Sequence, residues 1–597
     1  MAKIAPSADT KIYRIKKWLG VNENPDGATR LKLGELSESR NWRITLGGSL
    51  QIRPGTRTVL DFAGPVRGLW RGRVDDREVT VCAAEGKFWE IDLASSAKTE
   101  MGTLTDAPTC FFGYEKKLYM LNGSEYKVWD GQGAATDVEG YRPIVSISNT
   151  PAGGGAMFEQ VNKLTGAKRA KFSPTGSATL YTLPEKDIQS VDYAKNLVTD
   201  VTYATNQYSV NLVNGTVTFT SAPASGINTI EIGWTSKKND RESLCAMRFY
   251  EIYGGTTDSR VFLYGDGSNK AFYSGLDENG RPTAEYFPDL NVLSAGEANS
   301  PITGLIRHFS RMLVFKENSA YSVTSDTATL ADNSVIPAFK LMTINRAVGN
   351  DAPGQCVLVD NNPRSLHAGA AYEWKSVVSF LTTDERHGKL LTDRVNETLK
   401  SFDLGKTVAF DDERNREYYI AYNGDAVIHN YDDDAWYIYK NFPACSFLSV
   451  DGELYIGCTG GQIRHVSRTY MNDDGFPIDA YCISGEMAFD RDWKRKYSSV
   501  IWVAMKPERH GRVYVTAMSN RKADYPEKIV AYGFASFIPC DFARFSFGTN
   551  RRSQVKRVKL KVKKYTYYQL IFESNDAKAA ATVVGVDFHV RYAGDVK

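Results

Sequence analysis

The stretch Glu417–Lys440, EYYIAYNGDAVIHNYDDDAWYIYK, decides the fold. Aromatic and β-branched residues fill three short runs, and Asn423-Gly424 and Asp432-Asp433-Asp434 separate them. Runs of this kind between turn residues read as strands, and Asn-Gly between two of them is a strong hairpin signal. The same form, a short apolar strand, a turn with Gly or Asn and a second strand carrying an aromatic, recurs along the chain. It appears in VTVCAAEGKFWEIDL around Gly86, KLYMLNGSEYKVWDG around Gly123, RVFLYGDGSNKAFYSG around Gly267 and RMLVFKENSAYSV around Asn318. It appears again in RSLHAGAAYEWK around Gly369 and ELYIGCTGGQIRHV around Gly461, making seven hairpins in all.

Their spacing is periodic. The intervals 86 to 123, 318 to 369, 369 to 424 and 424 to 461 are 37, 51, 55 and 37 residues, close to the roughly 40 to 50 of a four-stranded propeller blade. The interval 123 to 267 is 144 residues. Removing about 95 residues between Ile147 and Asp240 leaves about 49, again one blade. The removed segment opens with SNTPAGGGAM and ends in SVNLVNGTVTFTSAPASGINTIEIGWTS, where Val217 and Phe219 share one face and Ile230, Ile232 and Trp234 another. It reads as a small inserted β-sandwich.

After about Ser467 the turn rhythm stops, and the longer alternating strands SSVIWVAM, RVYVTAM, VKRVKLKVKKYTYYQLIFES and ATVVGVDFHVRYAG begin. They predict a separate C-terminal β-sandwich. The expected fold is therefore all-β: a propeller of about seven blades with an inserted and a C-terminal sandwich. The expected domains are 1–146, an N-terminal segment with the first blades; 147–240, the insert; 241–467, the remaining blades; and 468–597, the C-terminal sandwich. An eighth hairpin, ITLGGSLQIRPG, turns at Gly47-Gly48 ahead of the others. A propeller must hide the edge between its first and last blades, so this hairpin is a candidate closing strand or an eighth blade.

Charge and composition narrow the function. With 42% apolar and 24% charged residues, the 597-residue chain has material for several ordinary cores. Its 73 basic and 70 acidic residues nearly cancel, which disfavours a uniform field that grips nucleic acid along its length. No apolar stretch approaches the roughly 20 residues of a membrane span, and the start, MAKIAPSADTKIYRIKK, has no signal-type apolar region. A soluble chain without a conventional export signal is expected.

Catalytic signatures are sparse. The eight cysteines, at 82, 110, 245, 356, 445, 458, 482 and 540, form no CxxC pair, and read as buried free thiols. The seven histidines, at 308, 367, 387, 429, 465, 510 and 589, form no HxxxH or HExxH pair. GxSxG, GxxxxGK[ST] and GxGxxG are missing, and with them the usual serine nucleophile and phosphate cradles. The clusters Asp411-Asp412-Glu413, Asp432-Asp433-Asp434 and Asp473-Asp474-Gly475 lack EF-hand spacing and read as solvated turns. SFDLGKTV, Ser401–Val408, resembles an Asp-box of sialidase-type propellers with Val408 in place of Trp; a single imperfect copy reads as a blade turn. No catalytic residue, cofactor or metal is expected. One feature remains as a candidate partner contact. Arg551 to Lys564 holds eight Lys or Arg and no acid. Alternation points Val558, Leu560 and Val562 one way and Lys559, Lys561 and Lys563 the other. The three lysines either guard an exposed strand against edge pairing or meet an acidic partner or nucleic acid.

LSESRNWRITLGGSLQIRPGT, Leu36–Thr56, followed by hairpin blades, resembles the start of hub or nozzle proteins of bacteriophage tails. RVFLYGDGSNKAFYSG, HFSRMLVFKENSAYSV and FDDERNREYYIAYNGDAVIHNYDDDAWYIY resemble their blades, and GTVTFTSAPASGINTIEIGW resembles a phrase of phage tail and baseplate domains. The likeness covers residues 40–130 and 255–470 best. It implies a structural virion protein, not an enzyme. Such a protein forms a homo-oligomeric ring, usually hexameric, at the tail end, bounding a channel for DNA ejection and docking a head-tail adaptor and tail fibres or spikes. It also implies a virion location, with host cytoplasm as the place of assembly. A glycan-binding or glycan-cleaving propeller and a cellular interaction scaffold are the alternative readings.

Overall fold

The structure, a computed structural model, describes residues 10–24, 31–255, 259–329, 335–377, 385–508, 511–523, 525–532 and 553–595. It is all-β: among the described residues the α-helices are the five-residue Arg241–Cys245 and Asn396–Lys400.

Each of the seven turns marked by Gly or Asn joins the second and third strands of an antiparallel set of four; six of the sets are four-stranded sheets, and the seventh lies in a six-stranded sheet that Asn472–Asp473 and Phe476–Pro477 extend. The first set is Val66–Val74, Arg77–Ala84, Lys87–Asp92 and Ala97–Thr103, and the second Cys110–Tyr114, Lys117–Leu121, Tyr126–Trp129 and Thr136–Asp137. The third is Phe249–Gly254, Ser259–Tyr264, Lys270–Tyr273 and Val292–Ser294, and the fourth Ile302–His308, Arg311–Lys316, Ser319–Thr329 and Val335–Asn345. The fifth is Val357–Val359, Asn362–His367, Ala370–Val377 and Glu385–Leu390, and the sixth Val408–Asp412, Glu417–Tyr422, Asp425–Asn430 and Ala435–Lys440. In the sixth, Asn423 and Gly424 take φ of 48° and 86° and close a two-residue hairpin between Tyr422 and Asp425. Two left-handed residues in succession are what Asn-Gly tolerates best.

The seventh set differs. Ala444–Val450, Glu453–Cys458 and Gln462–Ser467 are joined not by a following strand but by Gly55–Asp61, paired from Ser467 opposite Gly55 to Gln462 opposite Asp61 with a one-residue bulge at Val59. The fourth strand thus comes from early in the chain and directly follows Arg53-Pro54. This corrects the expectation for ITLGGSLQIRPG: its strands Trp42–Ile44 and Leu50–Ile52 pair with each other, and Leu50 and Gln51 pair with Val583 and Thr582. The segment that completes the last set is the next one along.

The chain divides into two compact units, residues 70–91 with 98–354, and residues 1–69 with 92–97 and 355–597. Within the first, Ile144–Asn149 opens a six-stranded sheet, and Leu180–Thr182, Thr216–Phe219 and Tyr208–Asn211 form a three-stranded one. The two faces read in the sequence meet: Val217, Phe219, Ile230, Ile232 and Trp234 are all buried in one core with Phe172 and Tyr181.

Within the second unit, two sheets enclose one core. The long strand Thr582–Asp595 pairs with Lys494–Ser498, Ile501–Met505, Thr10–Ile15 and Leu50–Ile52. Gln554–Val558 and Val562–Tyr565 extend that sheet by pairing with Ile501–Met505 and Lys494–Ser498. The other sheet runs Gly20–Val21, Glu35–Arg40, Ala480–Ser484, Tyr568–Ser574, Gly511–Ser519 and Lys528–Tyr532. The strands between Thr10 and Ile52 therefore belong with strands after Ala480 rather than with the first four-stranded sets that the 1–146 boundary grouped them with. Two fully buried tryptophans, Trp18 and Trp42, explain the placement, since they add their rings to the same core as Phe572 and Phe588.

Candidate functional site

Lys559, Lys561 and Lys563 are exposed while Val558, Leu560 and Val562 are 4%, 2% and 1% exposed, so the alternation places the charges on the outward face. Arg551 and Arg552, at the start of the run, lie outside the described residues, as do His510 and Cys540. Among the described residues no carboxylate pairs with Lys559, Lys561 or Lys563.

The Arg53-Pro54-Gly55 turn sits in a buried polar network. The Arg53 guanidinium, 1% exposed, meets Asp473 through two bonds of 3.1 and 2.6 Å, and its Nε donates to Asn41 Oδ1 at 2.9 Å. Asp473 also accepts from the Thr56 amide and hydroxyl, both at 3.0 Å, and Asp474 accepts from the Thr58 amide and hydroxyl at 2.8 and 2.6 Å. Asn41 further accepts from the Lys440 amide at 2.8 Å. Asp473-Asp474-Gly475 is thus not simply a solvated turn: its carboxylates hold the first residues of Gly55–Asp61 against the seventh set. Two cavities, of about 190 and 310 Å³, share Pro54 and Arg468 in their walls.

Arg43, 3% exposed, forms a buried pair with Glu417, 1% exposed, at 3.0 Å. Tyr437 and Tyr419 donate to the two Glu417 oxygens at 2.5 and 2.7 Å. Burial works against the Arg43 charge, but the Glu417 carboxylate together with Tyr437, Tyr439 and Tyr419 offsets it and holds the guanidinium ionised. Nothing in the sequence marked this pair, because its members stand far apart along the chain.

A second titratable cluster joins the fifth and sixth sets. Arg364 Nη1 donates to His429 Nδ1 at 3.0 Å, so the imidazole carries its proton on Nε2 and gives it to Asp434 at 3.1 Å. Burial lowers the His429 pKa from its ordinary value, and the neighbouring Arg364 charge acts in the same direction. Arg364 lies under the rings of Tyr418 and Tyr431, and the Tyr431 hydroxyl donates to Asp411 at 3.1 Å. Burial pushes the Asp411 carboxyl up to about 6. A carboxyl whose folded pKa exceeds its unfolded value contributes stability below the unfolded value, near 4, and loses it as pH rises through the folded one. Asp411→Asn removes the titration. The variant is therefore expected to gain in thermal midpoint relative to the parent between pH 4 and pH 7.5; an equal difference at both pH values refutes the assignment.

The other acidic residues are also engaged. Asp432 pairs with Arg416 at 2.9 Å, Asp433 with Lys17 at 2.7 Å and Asp412 with Asn415 at 2.8 Å. Asp403, in the Asp-box-like turn, pairs with Lys406 at 2.8 Å, one turn on in its own loop. Among the described residues no group of three or more His, Cys, Asp or Glu side chains is placed to hold a metal ion. No helix among them is long and apolar enough to cross a membrane. Cys82, Cys458 and Cys482 are buried and Cys110, Cys245, Cys356 and Cys445 half-buried, none of them in a disulfide. Burial pushes the Cys458 thiol up to about 12 and that of Cys445 to about 11, far from the thiolate a nucleophile needs.

No family model matches the chain, and no curated protein matches it. Among solved structures, the computationally designed Ika8 protein aligns over 69% of this chain and 99% of its own, with 9% identity and a TM-score of 0.31. The AfRom2 CNH domain aligns over 69% and 99%, with 6% identity and a TM-score of 0.33. Hsv2 of Kluyveromyces lactis aligns over 63% and 97%, with 7% identity and a TM-score of 0.24. The class of this protein rests on its own pairing registers: an all-β chain of repeated four-stranded antiparallel sheets of the kind that form propeller blades.

Proposed function

We propose that the seven four-stranded sets are the blades of one propeller closed by Gly55–Asp61, and that the chain is a structural protein of a bacteriophage tail. In this reading copies of the chain form a hub or nozzle ring around a channel for DNA ejection, and the ring docks an adaptor and tail fibres or spikes. The carrying observation is the pairing of Gly55–Asp61 with Gln462–Ser467. It supports the reading because a propeller needs a strand that covers the edge between its first and last blades, and Gly55–Asp61 begins at the end of the stretch that resembles the start of phage hub proteins. The near balance of 73 basic and 70 acidic residues supports the same reading, since a strongly basic lumen would retain DNA rather than let it slide. The buried ion pairs behind the closing strand suit a part that must stay rigid.

Native mass spectrometry of the purified chain tests the ring. A closed oligomer, a hexamer by resemblance, is expected at micromolar concentration. A monomer at every concentration, or turnover of an oligosaccharide that Asp403→Ala abolishes, would overturn the reading.

A further inference from the structure

The C-terminal sandwich presents two outward sheet faces of opposite charge. On the first sheet, register carries side chains of one face across the strands in rows. Lys563 lies opposite Tyr497 and Tyr497 opposite Arg591; Arg557 lies opposite Trp502, Trp502 opposite Asp587 and Asp587 opposite Arg14; His589 lies opposite Ile12. The neighbours of these residues along each strand, Val503, Val558, Val562, Phe588 and Val590, are buried, so the rows face outward. Trp502 and His589 are in ring contact at 4.1 Å, and Ile12 is 51% exposed. The acid of the set, Asp587, is paired with Arg14 at 3.3 Å. Arg557, Arg591, Lys559, Lys561 and Lys563 are left in excess, with no carboxylate paired to them among the described residues.

On the second sheet the corresponding row is Arg40, Tyr481, Glu573, Tyr514 and Ile529, with Glu38 two residues before Arg40 on the same strand. Asp479 and Glu527 stand at its margins, close enough to act on Glu573. Arg40 lies over the Tyr481 ring at 4.8 Å and pairs with Asp479 at 3.2 Å. Arg512, two residues before Tyr514 on the same outward face, pairs with Asp576 at 3.4 Å. Five acids therefore meet two bases. Burial raises the Glu573 pKa from its ordinary value, and the Glu527 charge adds to it, as expected where like charges crowd.

Because both sheets wrap the same core, the two faces point in opposite directions. We propose that the cationic face of one copy of this chain docks on the acidic face of the next, so that the C-terminal sandwiches stack head to tail. The inference rests on the ring reading above and names the surfaces that make the ring. Like charges prevent either face from meeting itself, so the contact is heterologous, the kind that builds a ring when its rotation closes and an open filament when it does not, rather than a two-fold dimer. Tyr and Arg line both faces and Trp502 the first, and these are the residues that most often anchor interfaces. Four strands at about 4.8 Å spacing give a face roughly 20 Å across. Stacking two such faces buries roughly 800 Å², below the ~1,200 Å² of a standard interface, so the contact is weak, and because it joins exposed opposite charges it is salt-sensitive.

Two full-length variants test it by sedimentation velocity at 50 and 500 mM NaCl. Lys559→Glu/Lys561→Glu/Lys563→Glu makes both faces acidic, and Glu38→Lys/Glu573→Lys makes both basic. Each variant alone is expected to lose assembly at least tenfold in concentration dependence, and an equimolar mixture is expected to regain it, with alternating subunits. Recovery in the mixture also shows that both variants are folded. If the parent assembles and both variants assemble equally well, these faces are not the interface and the ring reading stands without them. A parent that stays monomeric overturns both. Variants that assemble like the parent while the lysine reversal alone loses binding to a fluorescent 20-nucleotide oligo-dT assign the face to nucleic acid and overturn the stacking.

Discussion

Glu417→Ala is expected to destabilise the protein by about 3–5 kcal/mol, the usual cost of stripping one partner from a buried ion pair. The loss has two parts. Arg43, 3% exposed, would keep a buried charge without its carboxylate, and the Tyr437 and Tyr419 hydroxyls would lose their acceptor. Equilibrium urea unfolding measures it as a drop in midpoint at unchanged slope. The double variant Arg43→Met/Glu417→Leu separates charge from packing, since replacing the whole pair with apolar side chains is often neutral. It is expected to recover most of the loss. A Glu417→Ala protein within about 1 kcal/mol of the parent would show that the pair does not lock this region.

Asp473→Ala is expected to act on the strand Gly55–Asp61, where it pairs with Gln462–Ser467. It leaves the Arg53 guanidinium, 1% exposed, without its bidentate partner and removes the acceptor for the Thr56 amide and hydroxyl. The cost is about 3 kcal/mol or more, and it falls on one strand. Amides that hydrogen-bond Gly55–Asp61 to Gln462–Ser467 are therefore expected to exchange on the order of 100-fold faster, the equivalent of about 3 kcal/mol of local opening, while amides of the 144–236 core are unchanged. Equal acceleration in both places would mean that Asp473 supports the fold generally and not Gly55–Asp61 in particular.

The repeat was legible because it is local. Each turn at Gly86, Gly123, Gly267, Asn318, Gly369, Gly424 and Gly461 lies between two strands adjacent in sequence, and period-two alternation with turn residues at fixed places marks such a pair. The outer strands were harder to see. Thr136–Asp137 has two residues and Val292–Ser294 three, too few to alternate. The partner of Thr10–Ile15 and the antiparallel partner of Glu35–Arg40 lie more than 400 residues away, and no local pattern encodes such pairing. The same distance hid the buried polar groups. Asp473 looks like any turn acid until Arg53, 420 residues earlier, is brought against it. Lys559, Lys561 and Lys563 were legible from parity alone, but the acidic face they are proposed to meet draws on five separate strands and has no sequence signature.

Cryo-electron microscopy of the purified assembly tests the central claim most directly. The account predicts a closed ring of identical subunits around an open channel, each subunit showing seven sheets fanned about an axis with Gly55–Asp61 at the seam. Isolated subunits whose sheets stack in layers around an organised pocket would contradict it.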